Sequence, residues 1–135
     1  MEEKLKELSK HRYEKACDCL NIAIKLFADG EQSFAQNRAY YALFNAIKSV
    51  TILDEFDSSK HSGVIAYFNQ YYVKTELFKK ETSKIILFAS MLREKSDYED
   101  FYEPKEIDTQ ELISLVQAFL GDVKSFLVNR NIFEQ

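Results

Sequence analysis

Arg38 and Asn45 are the residues of this sequence whose type and spacing best suit chemistry. Seven positions apart on a helix, they stand two turns from each other and differ by only about 20° around the axis. Asn37 lies beside the arginine, Tyr41 lies between the pair, and Ser49 follows one turn on. A guanidinium on an otherwise apolar helix is costly unless an anion meets it. Two readings satisfy that demand. In one, Arg38 pairs internally with a carboxylate such as Asp97 or Glu94, and Asn45 bonds to backbone. In the other, the stripe lines a groove in which Arg38 grips a phosphodiester of RNA or a nucleotide phosphate.

Other chemistry-bearing residues are sparse. The sequence has no Gly-rich phosphate loop, nucleophile elbow, HExxH or Glu-x-x-His pair. Its two histidines, His11 and His61, are far apart, so no histidine-rich metal centre is expected. Cys17 and Cys19 are turned about 200° from each other on a helix, which keeps them from sharing a metal or a disulfide there. Cys17 falls on an apolar stripe and reads as a small core residue. No metal or cofactor is implied. His61 opens a helix, the ordinary use of such a residue; reaching the Arg38 groove is its other reading. Arg93 and Asp97 are one turn apart and fit a surface pair.

The elements that must position these residues are helical. Tyr13, Cys17, Leu20, Ile24 and Phe27 repeat in steps of three and four, widened by Ala16 and Ala23. This predicts a first helix to about Asp29, closed by Gly30 at the C′ position. A second helix starts at Ser33, which has Gln36 at capping-box spacing, and runs without a break through Phe56. Tyr40, Leu43, Ile47 and Val50 share its core face, and Arg38, Asn45 and Ser49 form a narrow polar stripe on the far side. Such a helix is apolar on nearly all sides and is buried on nearly all sides. A shorter third helix begins near Lys60, with Val64, Ile65, Phe68 and Tyr72 inward. Ile85, Ile86, Ala89 and Leu92 mark a fourth, followed by an acidic, aromatic connection over Ser96–Glu106. Within it, Tyr98, Phe101 and Tyr102 read as a partner-contacting surface. Asp108 and Glu111 write a capping box for the last helix, with Ile107 and Leu112 at hydrophobic-staple positions. The expected architecture is all-α: an antiparallel bundle of four long helices plus one short helix.

Composition sets the outer bounds. At 135 residues, the chain suits one domain, residues 1–135, with a proper core. Only 3 glycines and 1 proline punctuate it, too few for a turn-dense all-β fold. The formal charge of −4 argues against a nucleic-acid coat protein or a membrane-surface binder, and leaves room for a local basic patch. No stretch of about 18 apolar residues is present to span a membrane, and the charged N-terminus does not resemble a signal peptide. A reducing cytoplasm is the expected location.

The run Asn37-Arg38-Ala39-Tyr40-Tyr41-Ala42-Leu43-Phe44-Asn45 resembles the signature helix of HEPN domains. The likeness is strongest to the small stand-alone branch found beside minimal nucleotidyltransferases in prokaryotic toxin–antitoxin pairs. It extends to Arg12-Tyr13, Leu26-Phe27 before Gly30, Lys60-His61-Ser62-Gly63-Val64-Ile65 with Phe68, Val73-Lys74-Thr75, Leu92-Arg93, Ser96-Asp97-Tyr98, and Phe119 with Leu127. In all it covers roughly residues 9–130. The resemblance implies a bundle that dimerises with its signature helices facing a shared cleft. Active members are metal-independent endoribonucleases carrying a polar residue, an arginine, four to six residues, then a histidine. Here Asn37 and Arg38 match, and Asn45 occupies the histidine position.

That departure changes the expected chemistry. An asparagine amide neither takes up nor delivers a proton at neutral pH, although it can position a 2′-hydroxyl or a phosphate oxygen. Arg38 keeps the role of phosphate clamp. By resemblance, Asn37, Tyr41 and Ser49 would touch substrate, while Arg93, Asp97 and Tyr98 would support the cleft. The expectation is an RNA- or nucleotide-binding toxin component with weak or degenerate ribonuclease activity. The alternative is a non-catalytic subunit or scaffold for a nucleotidyltransferase partner. In related pairs that partner can transfer nucleotide to a tyrosine near the catalytic histidine, for which Tyr40 and Tyr41 are the local matches.

Overall fold

The computed structural model describes residues 2–133. Five α-helices follow one another along the chain: α1 (Glu3–Ala28), α2 (Gln32–Thr51), α3 (His61–Phe68), α4 (Glu81–Tyr98) and α5 (Glu106–Asn129). No strand occurs among the described residues, so the all-α expectation holds.

Hydrogen bonds between helices set the run directions. Ser9 near the start of α1 donates to the Ser49 carbonyl near the end of α2, so the two run antiparallel. Ser33 at the start of α2 meets Ser96 late in α4 at 2.6 Å, which makes α4 antiparallel to α2 as well. Gln36 of α2 donates to Thr109 at the start of α5, and Tyr13 of α1 donates to the Leu120 carbonyl. The four long helices therefore alternate up and down, and α2 contacts every other helix.

Close approach of α1 and α2 depends on small residues. Ala16 and Ala23 of α1 and Ala35, Ala39, Ala42 and Ala46 of α2 are fully buried. This rotates the buried face of α1 away from the one its bulky residues outline. Cys19, not Cys17, is in the core; Cys17 is half-buried and Ile24 is exposed. Large side chains fill the rest of the core, with Tyr40, Leu43 and Ile47 of α2 packed in the same cluster as Phe68, Phe119 and Leu127.

Besides the end of α4, three element ends differ from the sequence expectation. First, α2 stops at Thr51 rather than running to Phe56. Residues Ile52–Asp54 tighten into a 3-10 turn, and Glu55 adopts a left-handed conformation at φ 58°. The Glu55 and Phe56 amides then bond back to Ile52 and Thr51, closing the helix as glycine usually does. The reversal frees Phe56 to stack on Tyr67 with ring centres 4.0 Å apart. Second, Ser33 and Gln36 form no capping box. The helix begins at Gln32, and both side chains serve tertiary bonds: Gln36, fully buried, also accepts from Tyr102 at 2.8 Å. Third, α5 begins at Glu106, two residues before the expected cap. Asp108 therefore sits inside the first turn, where its charge suits the helix dipole. Ile107 is exposed, so no staple forms with Leu112.

Elsewhere the outline matches. Gly30 closes α1 at φ 79°. After α3, a π-helical turn over Asn69–Val73 leads into the irregular stretch before α4. That helix extends through Tyr98, so Ser96, Asp97 and Tyr98 are helical and the connection is shorter than expected.

Candidate functional site

Three helices surround a cleft of about 320 Å³. From α2 come Arg38, Tyr41, Phe44, Asn45 and Lys48; α1 adds Lys15 and Cys19; His61, the first residue of α3, closes the remaining side. The α2 residues Arg38, Tyr41, Asn45 and Lys48 recur in steps of three and four, so one helix stripe supplies half the lining.

Arg38 has no carboxylate partner among the described residues. Its Nε and a terminal nitrogen donate to Asn37 Oδ1 at 3.3 and 3.0 Å, and its guanidinium lies 5.0 Å from the centre of the Tyr41 ring. The neutral amide and the ring orient the cation without cancelling its charge. Asp97, one candidate for an internal partner, is instead 3.3 Å from Arg93 Nε on its own helix. Asn45 is buried and donates from Nδ2 to the Tyr41 carbonyl at 2.8 Å. Its Oδ1 is thereby left as an acceptor, able to receive a hydroxyl proton in a hydrogen bond but not to carry it away.

His61 lies within this cleft, beyond the helix-start role that its position in the sequence favours. Its ring rests on Phe44 with centres 4.0 Å apart and meets Tyr41 edge-to-face at 5.8 Å. Nδ1 is 3.1 Å from the Tyr40 hydroxyl. Burial, with Arg93 and Lys48 adding positive charge, holds the imidazole pKa below its ordinary value, so the neutral form is favoured at neutral pH. Tyr40 is almost fully buried and its phenol pKa is raised, chiefly by burial, so it stays protonated. The Arg93 guanidinium lies 4.9 Å from the Tyr40 ring centre and 5.8 Å from that of Tyr41. The Arg93–Asp97 pair thus braces the two tyrosines from behind and does not line the cleft.

Not every sequence candidate comes to this place. Ser49 is fully buried, with its hydroxyl on the Ala46 carbonyl at 2.6 Å, and is not among the lining residues. Tyr98 is exposed at the end of α4. Of the two signature tyrosines, Tyr41 faces the cleft and Tyr40 is buried. Lys15, Cys19, Phe44 and Lys48 complete the lining without having been singled out in the sequence. Lys48 was within reach of the spacing argument, being the next step after Arg38, Tyr41 and Asn45. Lys15 and Cys19 needed the docking of α1. Burial raises the Cys19 thiol pKa and lowers that of the Lys48 ammonium. No cluster of three metal-binding side chains occurs among the described residues.

Fold and site together define an all-helical domain with a cationic cleft on its central helix. The chain belongs to the HEPN domain family, whose model matches residues 9–126. It is 30% identical over 121 residues to a Methanocaldococcus jannaschii protein named "Putative toxin MJ0142", spanning 90% of this chain and 82% of that one. A UPF0332 protein of Thermotoga maritima is 32% identical over 113 residues, covering 84% and 86% of the two chains. A second M. jannaschii protein, "Putative toxin MJ0605", is 31% identical over 108 residues, or 80% of each chain. No described helix is long and apolar enough to cross a membrane.

Proposed function

We propose that this chain is a toxin-type HEPN protein whose cleft binds RNA through its phosphates, acting as a homodimer and held in check by a nucleotidyltransferase partner. The observation that carries this reading is electrostatic. Lys15, Arg38 and Lys48 line one cleft with no carboxylate among its lining residues, in a chain whose net charge is −4. Such a concentration of positive charge suits a phosphodiester. Arg38 is oriented by Asn37 and Tyr41 for a two-pronged contact with phosphate oxygens. Asn45 Oδ1 offers an acceptor for a ribose hydroxyl. The names of the M. jannaschii relatives agree with a toxin role.

Binding is tested apart from chemistry with a fluorescein-labelled 2′-O-methyl RNA, which cannot be cleaved through its 2′-oxygen. Arg38→Ala is expected to weaken binding about 10- to 100-fold, the usual worth of a charge-assisted contact. An unchanged dissociation constant would refute the reading. Asn45 supports a second reading, a non-catalytic subunit that docks the nucleotidyltransferase. Wild type that binds the RNA, leaves it whole and co-purifies with a co-expressed neighbouring nucleotidyltransferase would favour it.

A further inference from the structure

Resting on the reading of the cleft as an RNA site, we propose that His61 is the catalytic proton-transfer residue, taking from another helix the task that Asn45 cannot perform. Cleavage through the 2′-hydroxyl needs a base at that oxygen. Asn45, on the signature helix, has only an amide to offer. The imidazole of His61 lines the same cleft as Arg38, and both groups bear on the ring of Tyr41: the guanidinium at 5.0 Å and the imidazole at 5.8 Å from its centre. A phosphate gripped by Arg38 therefore brings its ribose to the neighbourhood of His61.

The second nitrogen of the ring makes this specific. Nδ1 is engaged by the Tyr40 hydroxyl at 3.1 Å, while Nε2 has no protein partner among the described residues. Either atom of the Nδ1–phenol contact can donate; the base is the tautomer in which Nδ1–H donates to the Tyr40 oxygen and the Nε2 lone pair stays free. Phe44 packs on the ring at 4.0 Å and limits its rotation. The titratable groups around it are cations and phenols: Lys48, Tyr40 and Tyr41 from α2, Arg93 from α4, and Lys15 across the cleft from α1. Among the described residues no carboxylate touches it to hold a proton there, so the neutral base is the resting form.

The reaction balances without a metal. The 2′-hydroxyl gives its proton to His61 Nε2 as its oxygen bonds to phosphorus. The bond from phosphorus to the 5′-oxygen breaks, and that oxygen takes a proton from water. The products are a 2′,3′-cyclic phosphate end and a 5′-hydroxyl end, and the imidazolium returns its proton to solvent. Arg38 stabilises the charge that builds on the phosphoryl oxygens.

The test uses the whole chain, EDTA, bulk tRNA as substrate and the 2′-O-methyl RNA as binding probe. In His61→Asn the amide takes the place of Nδ1 beside Tyr40 and the Nε2 base is removed. Wild type is expected to yield cyclic-phosphate ends, and His61→Asn to lose about 10²–10⁴-fold in rate with RNA affinity unchanged. Added imidazole is expected to restore part of the rate to His61→Ala, which a purely structural role would not allow. Equal cleavage by wild type and His61→Asn overturns the proposal, as does loss of RNA binding in His61→Asn. Wild type that binds RNA through Arg38 yet does not cleave it overturns the proposal and leaves the binding reading standing. Wild type that does not bind the RNA overturns the binding reading itself.

Discussion

Tyr41 organises the site at the scale of single residues. Its ring carries the Arg38 guanidinium and meets the His61 imidazole, and its backbone carbonyl holds the Asn45 amide. Arg38 keeps its charge available because its nearest protein partner is the neutral Asn37. His61 keeps its lone pair available because burial and cations disfavour protonation. The same shift makes the histidine a contributor to pH-dependent stability. Folding lowers its pKa, so the unfolded chain takes up the proton first as pH falls. The contribution is whole above the unfolded value of about 6.5 and is lost as pH drops through the folded one. Wild type is therefore expected to exceed His61→Asn in melting temperature by more at about pH 7.5 than at about pH 5. Paired thermal melts at the two pH values check this, and a difference that does not change with pH would contradict it. Asp57, whose carboxyl is held below its usual value by Arg12, loses its own contribution only at more acid pH and is common to both proteins.

Among the elements, helix ends carry the clearest energetic statement. Gly30 closes α1 at φ 79°, a conformation that glycine adopts freely. Glu55 closes the 3-10 turn after α2 at φ 58°, where a side chain costs about 1–2 kcal/mol. Glycine's greater freedom in the unfolded chain takes back about 0.5–1 kcal/mol. Glu55→Gly is thus expected to stabilise the fold by about 0.5–1 kcal/mol, read as a rise of about 2–4 °C in melting temperature. A fall in melting temperature would mean that the exposed Glu55 side chain does something the backbone geometry does not reveal.

The two helix ends also mark where the sequence was legible. Gly30 announces its turn by residue type, whereas the glutamate at position 55 has the wrong type for the conformation it adopts. The Ser33/Gln36 and Asp108/Glu111 pairs have capping-box spacing, but Ser33 and Gln36 bond across helices instead and α5 starts upstream of Asp108. Along α1, bulky residues suggested one face and alanines determined another, because the α1–α2 contact is made by what is small enough to approach. The site divides in the same way. Arg38, Tyr41 and Asn45 lie on one helix, and periodicity alone aligns them. Lys15, Cys19 and His61 arrive from helices whose docking no local pattern encodes.

Across the whole molecule, charge is distributed against its own average. The chain is net acidic at −4, so long-range attraction does not gather RNA, and the proposed binding would rest on the cleft's three cations. Each phosphate neutralised on a single strand contributes about −0.7 to the slope of log affinity against log salt. Three such contacts give a slope of about −2, or about a 20-fold loss of affinity between about 50 and 200 mM salt. Arg38→Ala is expected to reduce the magnitude of that slope by about 0.7 as well as weakening binding, since it removes one phosphate contact. The proposed homodimer adds a distinct signature. Two clefts engaging one strand would double the slope to about −4, whereas a monomer, or a dimer with clefts too far apart, would remain near −2 whatever the RNA length. Titrating short and long 2′-O-methyl RNAs across that salt range, alongside a light-scattering mass, separates these cases. A slope near zero would mean that the three cations do not meet phosphate at all, and the cationic cleft would need another ligand.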